Sequence, residues 1–231
     1  MVEIKAISDL FKMDAAEWKA RDEEVMQWER AQAEKEKRRR YREQVPERYW
    51  NESIDTYHTD TKERQDVKAK TEHFITAVKC GKFQTLIFLG SAGTGKTHLA
   101  CGIIRECGGL YRLAPAIVEE IRCAKSFNAK ETEAEILDSY GRAGLLVIDE
   151  IGRGVAAAEE QYMLYQIINE RYNRRKPTVL VSNQNKKDFL NYVGIAAADR
   201  LTESAQVVEF TGQSYRAVMR MRQNEAVAAG V

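Results

Sequence analysis

The sequence predicts an α/β fold in which a parallel sheet with helices on both faces follows a helical N-terminal extension. After residue 80, short apolar runs alternate with segments of helical periodicity, which is typical of a parallel sheet with covering helices. The runs are continuous rather than alternately polar, as expected of strands that are buried on both faces. A glycine-rich stretch joins the first run to the helix after it, which predicts a strand–loop–helix unit at this point.

The extension contains no proline between residues 5 and 43. Its apolar residues recur at helical spacings, and they are Ile7, Leu10, Phe11, Ala15, Trp18, Val25 and Trp28. Asp22 and Glu29 interrupt this stripe, which still predicts an amphipathic helix or helix pair. The following stretch, Glu34–Glu43, has nine charges in ten residues, so a solvated helix or a tether is expected there.

Two tryptophans and a phenylalanine on so small an element favour a docking helix for another protein. The alternative is that the stripe folds back onto the main domain. The expected partner-binding residues are Ile7, Leu10, Phe11, Trp18, Val25 and Trp28. The extension with its tether is predicted to cover residues 1–45.

Residues 46–80 are expected to form a linker and a leading helix. Pro46 ends the charged helix, and Pro46–Tyr57 is aromatic, broken and polar, which is typical of an ordered linker that wraps onto a core. A helix from about Thr61 to Lys79 follows and is closed by Gly81. Its predicted buried residues are Val67, Phe74, Ile75 and Val78.

Residues 81–231 are predicted to form the α/β domain. The predicted strands are Thr85–Leu89, Leu110–Leu113, Leu145–Ile148, Thr178–Val181 and Val207–Phe210. The predicted helices run from the glycine-rich loop to about Cys107, from Pro115 to about Phe127, over about Thr132–Tyr140, over about Ala157–Arg174, and from about Ser214, with short helices before the last strand.

Composition limits the classes of function. A formal net charge of +1 gives no global field that would commit the chain to nucleic acid, so any such function depends on local patches. The four cysteines form no C-x-x-C pair and no metal-ligand spacing with the histidines, which predicts reduced thiols and no zinc. There is no secretory signal and no apolar run long enough to span a bilayer, so we expect a cytoplasmic protein.

The glycine-rich stretch Gly90–Thr97 matches the P-loop pattern G-x-x-x-x-G-K-[ST]. Glycines let successive backbone N–H groups point at phosphate oxygens, and the helix N-terminus adds partial positive charge. Lys96 would supply a full charge at the β- and γ-phosphates, and the Thr97 hydroxyl would coordinate Mg²⁺. The predicted ATP-binding residues are Gly90, Ser91, Ala92, Gly93, Thr94, Gly95, Lys96, Thr97 and His98.

An acidic pair, Asp149 and Glu150, follows the third apolar run and forms a Walker B pattern. Ligands bind at the carboxyl ends of parallel strands, so Asp149 is expected to hold Mg²⁺ opposite Thr97. Glu150 is expected to polarise the attacking water. Asn183 ends the next strand and either orients the same water or simply begins a turn.

Two arginines late in the chain are candidates for the γ-phosphate. Many P-loop ATPases need an arginine from a neighbouring subunit at that position, and Arg200 or Arg216 could supply it. Spacing does not distinguish them, and a lone arginine on a helix is usually a solvated charge.

These residues carry a resemblance to a known family. The matching stretches are Pro46–Ser53, Gly90–Ala100, Leu145–Gly152, Ser182–Asn183, Asp199–Leu201 and Ser214–Arg216. Over roughly residues 46–216 the chain resembles the DnaC-type helicase loaders, of cellular, phage or prophage origin, in the DnaC/IstB branch of the AAA+ ATPases. The resemblance implies that Asn183 is sensor 1, Arg200 the trans-acting arginine finger and Arg216 sensor 2. It also implies a minimal lid, which agrees with the 21 residues that follow Phe210.

The resemblance further implies the partners. In this family the N-terminal region grips the replicative DnaB-type hexameric helicase. The ATPase domains form a homo-oligomeric spiral, expected to hold six copies with the helicase, that contacts single-stranded DNA. The segment Pro115–Tyr140 resembles inserted helices that reach DNA, where Lys125 would contact a phosphate and Phe127 would stack on a base. The same segment holds more acids than bases, so Phe127 as a core residue is the alternative.

Three functions compete at this point. The first is an ATP-regulated helicase loader acting in replication initiation. The second is an IstB-like ATPase that assists a transposase on duplex DNA, although duplex binding would favour a more basic chain. The third is an adaptor that holds ATP without turnover, against which the intact Glu150 argues.

Overall fold

The structure is a computed structural model that describes residues 14–126, 128–154, 156–215 and 217. The chain divides into two compact units, with the boundary between residues 43 and 44. Helix α1 (Ala15–Gln44) has 30 residues, and all of them except the last, Gln44, belong to the first unit. It begins where Asp14 Oδ1 accepts the N–H groups of Ala16 and Glu17 at 2.8 and 2.9 Å, which satisfies donors that a helix start leaves open.

The charged stretch of the extension belongs to α1 and is not a separate tether. Arg39 contacts Glu36 and Glu43 at 2.8 Å, one turn away on either side. Such exposed pairs are screened by water and contribute little to stability, so they support the helix only weakly. The apolar side chains are solvated as well: Trp18, Val25 and Trp28 are 41%, 48% and 58% exposed.

The second unit is the α/β domain. Its helices are a short 3₁₀ helix (Glu47–Tyr49), α2 (Lys62–Lys79), α3 (Lys96–Cys107), α4 (Ala114–Ala124), α5 (Glu133–Arg142), α6 (Ala157–Asn173), α7 (Lys186–Val193) and α8 (Ile195–Ser204). Its strands are β1 (Thr85–Gly90), β2 (Leu110–Leu113), β3 (Leu146–Ile151), β4 (Thr178–Ser182) and β5 (Ala205–Phe210). None of the described helices is both long enough and apolar enough to cross a membrane.

The five strands form one parallel sheet in the order β2-β3-β4-β1-β5. This confirms the predicted fold class. The strand that follows the acidic strand in sequence, β4, lies between β3 and β1 in space. The polar residues at the ends of these three strands therefore meet at one edge of the sheet.

The core lies on both faces of the three central strands, whose residues are almost fully buried. Two predictions of detail were wrong. In α2, Val78 is only half-buried, and Ala77 is buried instead. Helix α4 ends at Ala124, before the predicted Phe127. Helix bounds are hard to predict here because no proline or glycine marks the end of α4.

The linker packs onto the α/β domain, as predicted. The indole N–H of Trp50 donates to the Val45 carbonyl at 3.0 Å. Ile54 is buried against α3 at Gly102, where an added Cβ would come within 2.6 Å of Ile54 Cδ1. The linker therefore packs against the first helix after the glycine-rich loop. Other side chains of the linker consequently lie close to that loop.

Candidate functional site

The glycine-rich loop leaves β1 at Gly90 and enters α3 at Lys96. Gly90 has φ +124°, and an added Cβ would lie 2.2 Å from the Phe210 carbonyl oxygen of β5. Gly93 has φ +83°, and there an added Cβ would lie 2.1 Å from Ser214 Oγ. Both the left-handed backbone and the close approach of neighbouring segments require glycine at these positions.

Replacing Gly90 with alanine should destabilise the fold by about 3 kcal/mol, because the Cβ meets a backbone carbonyl that cannot rotate away and the φ angle is strained. The free energy of unfolding from urea denaturation measures this. Gly144→Ala is the matched control, since no atom lies within 4 Å of the added Cβ there. If Gly90→Ala lowered the free energy of unfolding no more than the control does, the end of β1 would not be closely packed.

Lys96 begins α3 and turns its side chain back into the loop. Its Nζ donates to the carbonyl oxygens of Gly90 and Ser91, both at 2.7 Å, and the residue is buried. The loop shape is further held by Thr94, whose hydroxyl donates to the Ser91 carbonyl at 2.9 Å. The ammonium group is thus held inside the loop at the N-terminus of a helix, where an anion is favoured.

Asp149 lies at the carboxyl end of β3 and is only 3% exposed. Its carboxylate accepts the Tyr111 hydroxyl at 2.8 Å, the Glu150 N–H at 2.6 Å and the Thr97 hydroxyl. Burial raises the pKa of Asp149, and these hydrogen bonds oppose the shift. A carboxylate beside a threonine hydroxyl is a donor set of hard oxygens and fits Mg²⁺, which binds through one or two protein oxygens together with substrate phosphates.

Glu150 follows Asp149 in a left-handed conformation, with φ +59°. Its carboxylate contacts Arg153 at 3.1 Å, so the side chain is directed along the turn after β3. That turn is held by Glu160, a fully buried residue of α6. Its Oε1 accepts the Gly152 N–H at 2.7 Å. A strained residue held by surrounding structure is common at functional sites.

Asn183 follows β4 and lines the same cleft as Asp149 and Glu150. The turn around it joins the neighbouring strands. The Ser182 hydroxyl donates to the Ile151 carbonyl at 2.8 Å, and the Gln184 carbonyl accepts the Gly90 N–H at 3.2 Å. The end of β4 therefore connects the glycine-rich loop to the acidic strand, and Asn183 lies in this connection.

These elements enclose a cleft of about 240 Å³. Of the residues predicted for the site, those that line it are Ala92, Gly93, Thr94, Gly95, Lys96, Thr97, His98, Asp149, Glu150 and Asn183. Residues that the sequence reasoning missed also line it, and they are Arg48, Tyr49, Glu52, Thr56, Tyr57, His58, Arg64, Arg153 and Tyr215. The cleft has four arginine or lysine side chains against three carboxylates, which suits a polyphosphate.

The linker forms one wall of the cleft and contacts His98 of α3 there. The His98 Nε2 lies 2.7 Å from the Ser53 carbonyl, and its Nδ1 lies 3.3 Å from a Glu52 carboxylate oxygen. Tyr57 packs edge-on against the His98 ring, with centroids 5.7 Å apart. These contacts with His98 hold the linker next to the glycine-rich loop. The Tyr57 ring lies at this side of the cleft.

The segment after β5 forms a second wall. The Tyr215 N–H donates to the Gly93 carbonyl at 2.9 Å. The Tyr215 ring stacks on His58 with centroids 4.7 Å apart, and its hydroxyl lies 2.7 Å from His58 Nε2. The residue next to Tyr215 is Arg216, so the chain is anchored at the loop one residue before the predicted sensor. Arg216 itself lies outside the described residues.

Other predicted site residues lie away from the cleft. Arg200 of α8 donates to the Ala196 carbonyl at 2.8 Å and lies over the Tyr165 ring. Lys125 follows α4 and contacts a Glu133 carboxylate oxygen at 3.5 Å. Of the remaining predicted residues, Ile7, Leu10, Phe11 and Phe127 lie outside the described residues.

Comparison with known proteins decides the family. The family of IstB-like ATP binding proteins matches residues 5–223. The chain belongs to this family. Membership in the IstB-like family makes ATP the nucleotide expected in the cleft and identifies the chain as an ATPase of the DnaC/IstB type.

Several relatives of this IstB-like chain are replicative helicase loaders. It is 28% identical over 171 residues to the replicative helicase loader DnaC of Escherichia coli strain K12, covering 72% of this chain and 69% of that protein. The corresponding protein of Buchnera aphidicola subsp. Baizongia pistaciae is 25% identical over 214 residues, with 84% and 87% covered. A putative ATP-binding protein of the insertion sequence IS232 from Bacillus thuringiensis is 32% identical over 143 residues, with 58% and 56% covered.

Solved structures agree on the fold. A crystal structure of the DnaC helicase loader matches with a TM-score of 0.63 and 21% identity, covering 72% of this chain and all of that one. A crystal structure of DnaI matches with a TM-score of 0.58 and 20% identity, covering 74% and 93%. The IstB-like chain therefore shares the α/β fold of these solved structures.

Proposed function

We propose that this chain is an ATP-dependent loader that binds the replicative hexameric helicase and helps deposit it on single-stranded DNA. The observation that carries the proposal is α1, a helix with two exposed tryptophans, in the same chain as a cleft lined by the glycine-rich loop and the acidic pair. The similarity to replicative helicase loaders over 72% of the chain supports it. A nucleotide switch with a separate docking helix is what a loader requires.

The cleft residues account for ATP hydrolysis in this proposal. Lys96 and the loop N–H groups would bind the β- and γ-phosphates, and Thr97 with Asp149 would hold Mg²⁺. When bound there, the metal would supply positive charge to the phosphate oxygens. Glu150 accepts a proton from the attacking water, and the Asn183 amide orients that water. Because phosphoryl transfer depends mainly on positioning and positive charge, this set needs only a further cation at the γ-phosphate.

We assign that cation to two arginines, Arg200 and Arg216. Arg200 lies on α8, away from its own nucleotide, so we propose that it reaches the nucleotide of a neighbouring subunit. Arg216 is assigned to the same chain's nucleotide, since Tyr215 is anchored on Gly93. Hydrolysis then depends on assembly into a spiral of six copies with the helicase. Lys125 and Phe127 are proposed to contact the single-stranded DNA.

Trp18→Ala with Trp28→Ala should weaken capture of the replicative helicase at least about 30-fold, because even one tryptophan buried at an interface typically contributes about 2 kcal/mol or more and such contributions do not add fully. The measurement is pull-down of the purified host helicase by the immobilised full chain. Tyr162→Ala is the matched control, since Tyr162 is an aromatic residue that is 55% exposed on α6 of the other unit. No helicase capture by the full chain would refute the loader function.

A second function, assistance of a transposase on duplex DNA, is favoured by one observation. The IS232 putative ATP-binding protein is more identical to this chain, at 32%, than the helicase loader of E. coli, at 28%, although over fewer residues. Binding to duplex DNA, together with no capture of the helicase, would support this function instead.

A further inference from the structure

Tyr111 lies on β2, at the edge of the sheet, and its side chain reaches β3. Its hydroxyl donates to Asp149 Oδ2 at 2.8 Å, and only 3% of the residue is exposed. The other carboxylate oxygen, Oδ1, accepts the Glu150 N–H at 2.6 Å. Each oxygen of this carboxylate thus receives a donor from the chain, and the two donors together fix the plane of the group.

The position of Tyr111 is itself held from both sides. On one side it pairs with Val147 of β3. Its backbone N–H donates to Oε1 of Gln44 at 3.1 Å, which satisfies a donor that an edge strand would leave open. A tyrosine hydroxyl carries its proton at neutral pH, so this hydroxyl acts as a donor to the carboxylate.

We propose that Tyr111 is a positioning residue that holds Asp149 in the orientation required for Mg²⁺-ATP. The inference rests on the proposed function, in which Asp149 and Thr97 hold the metal. Without the hydroxyl, Oδ2 of a buried carboxylate lacks one of its donors, and the group can rotate away from Thr97. Nucleotide contacts made by the glycine-rich loop do not involve Tyr111, so binding of ATP without metal is independent of it.

The test compares Tyr111→Phe with Tyr140→Phe. Tyr140 is also 3% exposed and its hydroxyl also donates to a carboxylate, but that carboxylate belongs to Glu120, which does not line the cleft as Asp149 does. Equilibrium binding of a non-hydrolysable ATP analogue is measured in a Mg²⁺ titration and in EDTA. We expect Tyr111→Phe to need about tenfold more Mg²⁺ for half-maximal enhancement of binding, the effect of losing one hydrogen bond to a charged group. Its affinity in EDTA should stay within about twofold, and Tyr140→Phe should change neither quantity.

An unchanged Mg²⁺ requirement in Tyr111→Phe would overturn the inference. So would an equal loss of affinity in EDTA, because that result indicates a general distortion of the site rather than a displaced carboxylate. In both cases the unmodified chain would still show Mg²⁺-dependent binding, and the proposed function would stand. Absence of Mg²⁺-dependent binding in the unmodified chain would refute the proposed function and the inference together.

Discussion

Lys96→Ala should abolish useful ATP binding, with affinity falling more than about 100-fold. The side chain is the one lysine that lines the cleft among the described residues, and it is held inside the glycine-rich loop by two carbonyl oxygens at 2.7 Å. It would contact two phosphate groups, and each hydrogen bond between charged partners contributes about 1.5–3 kcal/mol. Equilibrium binding of a fluorescent ATP analogue measures the loss.

The matched control for Lys96 is Lys70→Ala on α2. Lys70 contacts Asp66 in an exposed pair and lies outside the cleft. Thermal unfolding of both variants separates loss of binding from loss of folding. ATP affinity within about threefold of the unmodified chain in a folded Lys96→Ala variant would remove Lys96 from its proposed role, because less than 1 kcal/mol would then be lost.

Glu150→Gln should bind ATP with unchanged affinity and hydrolyse it about 10²–10⁴-fold more slowly, the range typical for loss of a general base. The amide has nearly the same shape as the carboxylate but cannot accept the proton of the attacking water. The left-handed backbone at this residue, with φ +59°, is set by the turn and by Glu160, so it should persist in the variant. Single-turnover hydrolysis in a saturating excess of protein measures the chemical step.

For Glu150, the matched control is Glu159→Gln. Glu159 is an exposed carboxylate of α6 that contacts Arg122 at 2.7 Å and does not line the cleft. Turnover by Glu150→Gln equal to that of this control would mean that another group activates the water. Reduced ATP affinity with the same turnover would instead assign Glu150 to binding.

Much of the site could be predicted because its motifs are local. The loop Gly90–Thr97 and the pair Asp149 and Glu150 each follow an apolar run, and parallel strands bring their carboxyl ends to one edge. The sheet order adds that β4, which ends just before Asn183, lies between them. Predicting these features requires only the direction of the strands and the periodicity of apolar residues.

The walls of the cleft could not be predicted in the same way. Tyr57 and His58 come from the linker and Tyr215 from the segment after β5, far apart in sequence, and their meeting at the glycine-rich loop depends on tertiary packing. The aromatic composition of the linker predicts that it packs onto the core, but it does not predict which residues it contacts there. The contact between Tyr111 and Asp149 likewise depends on the register of β2 on β3, which no pattern in the sequence specifies.

Helicase loading by this chain can be measured on closed circular single-stranded DNA. Such a circle has no end over which a closed helicase ring could pass. The purified host helicase is incubated with the circle, ATP and the chain, and helicase retained on the circle is measured after gel filtration. We expect retention to rise several-fold above helicase alone, and to return to that level with Lys96→Ala or with Trp18→Ala and Trp28→Ala together. Equal retention with and without the chain would contradict the account.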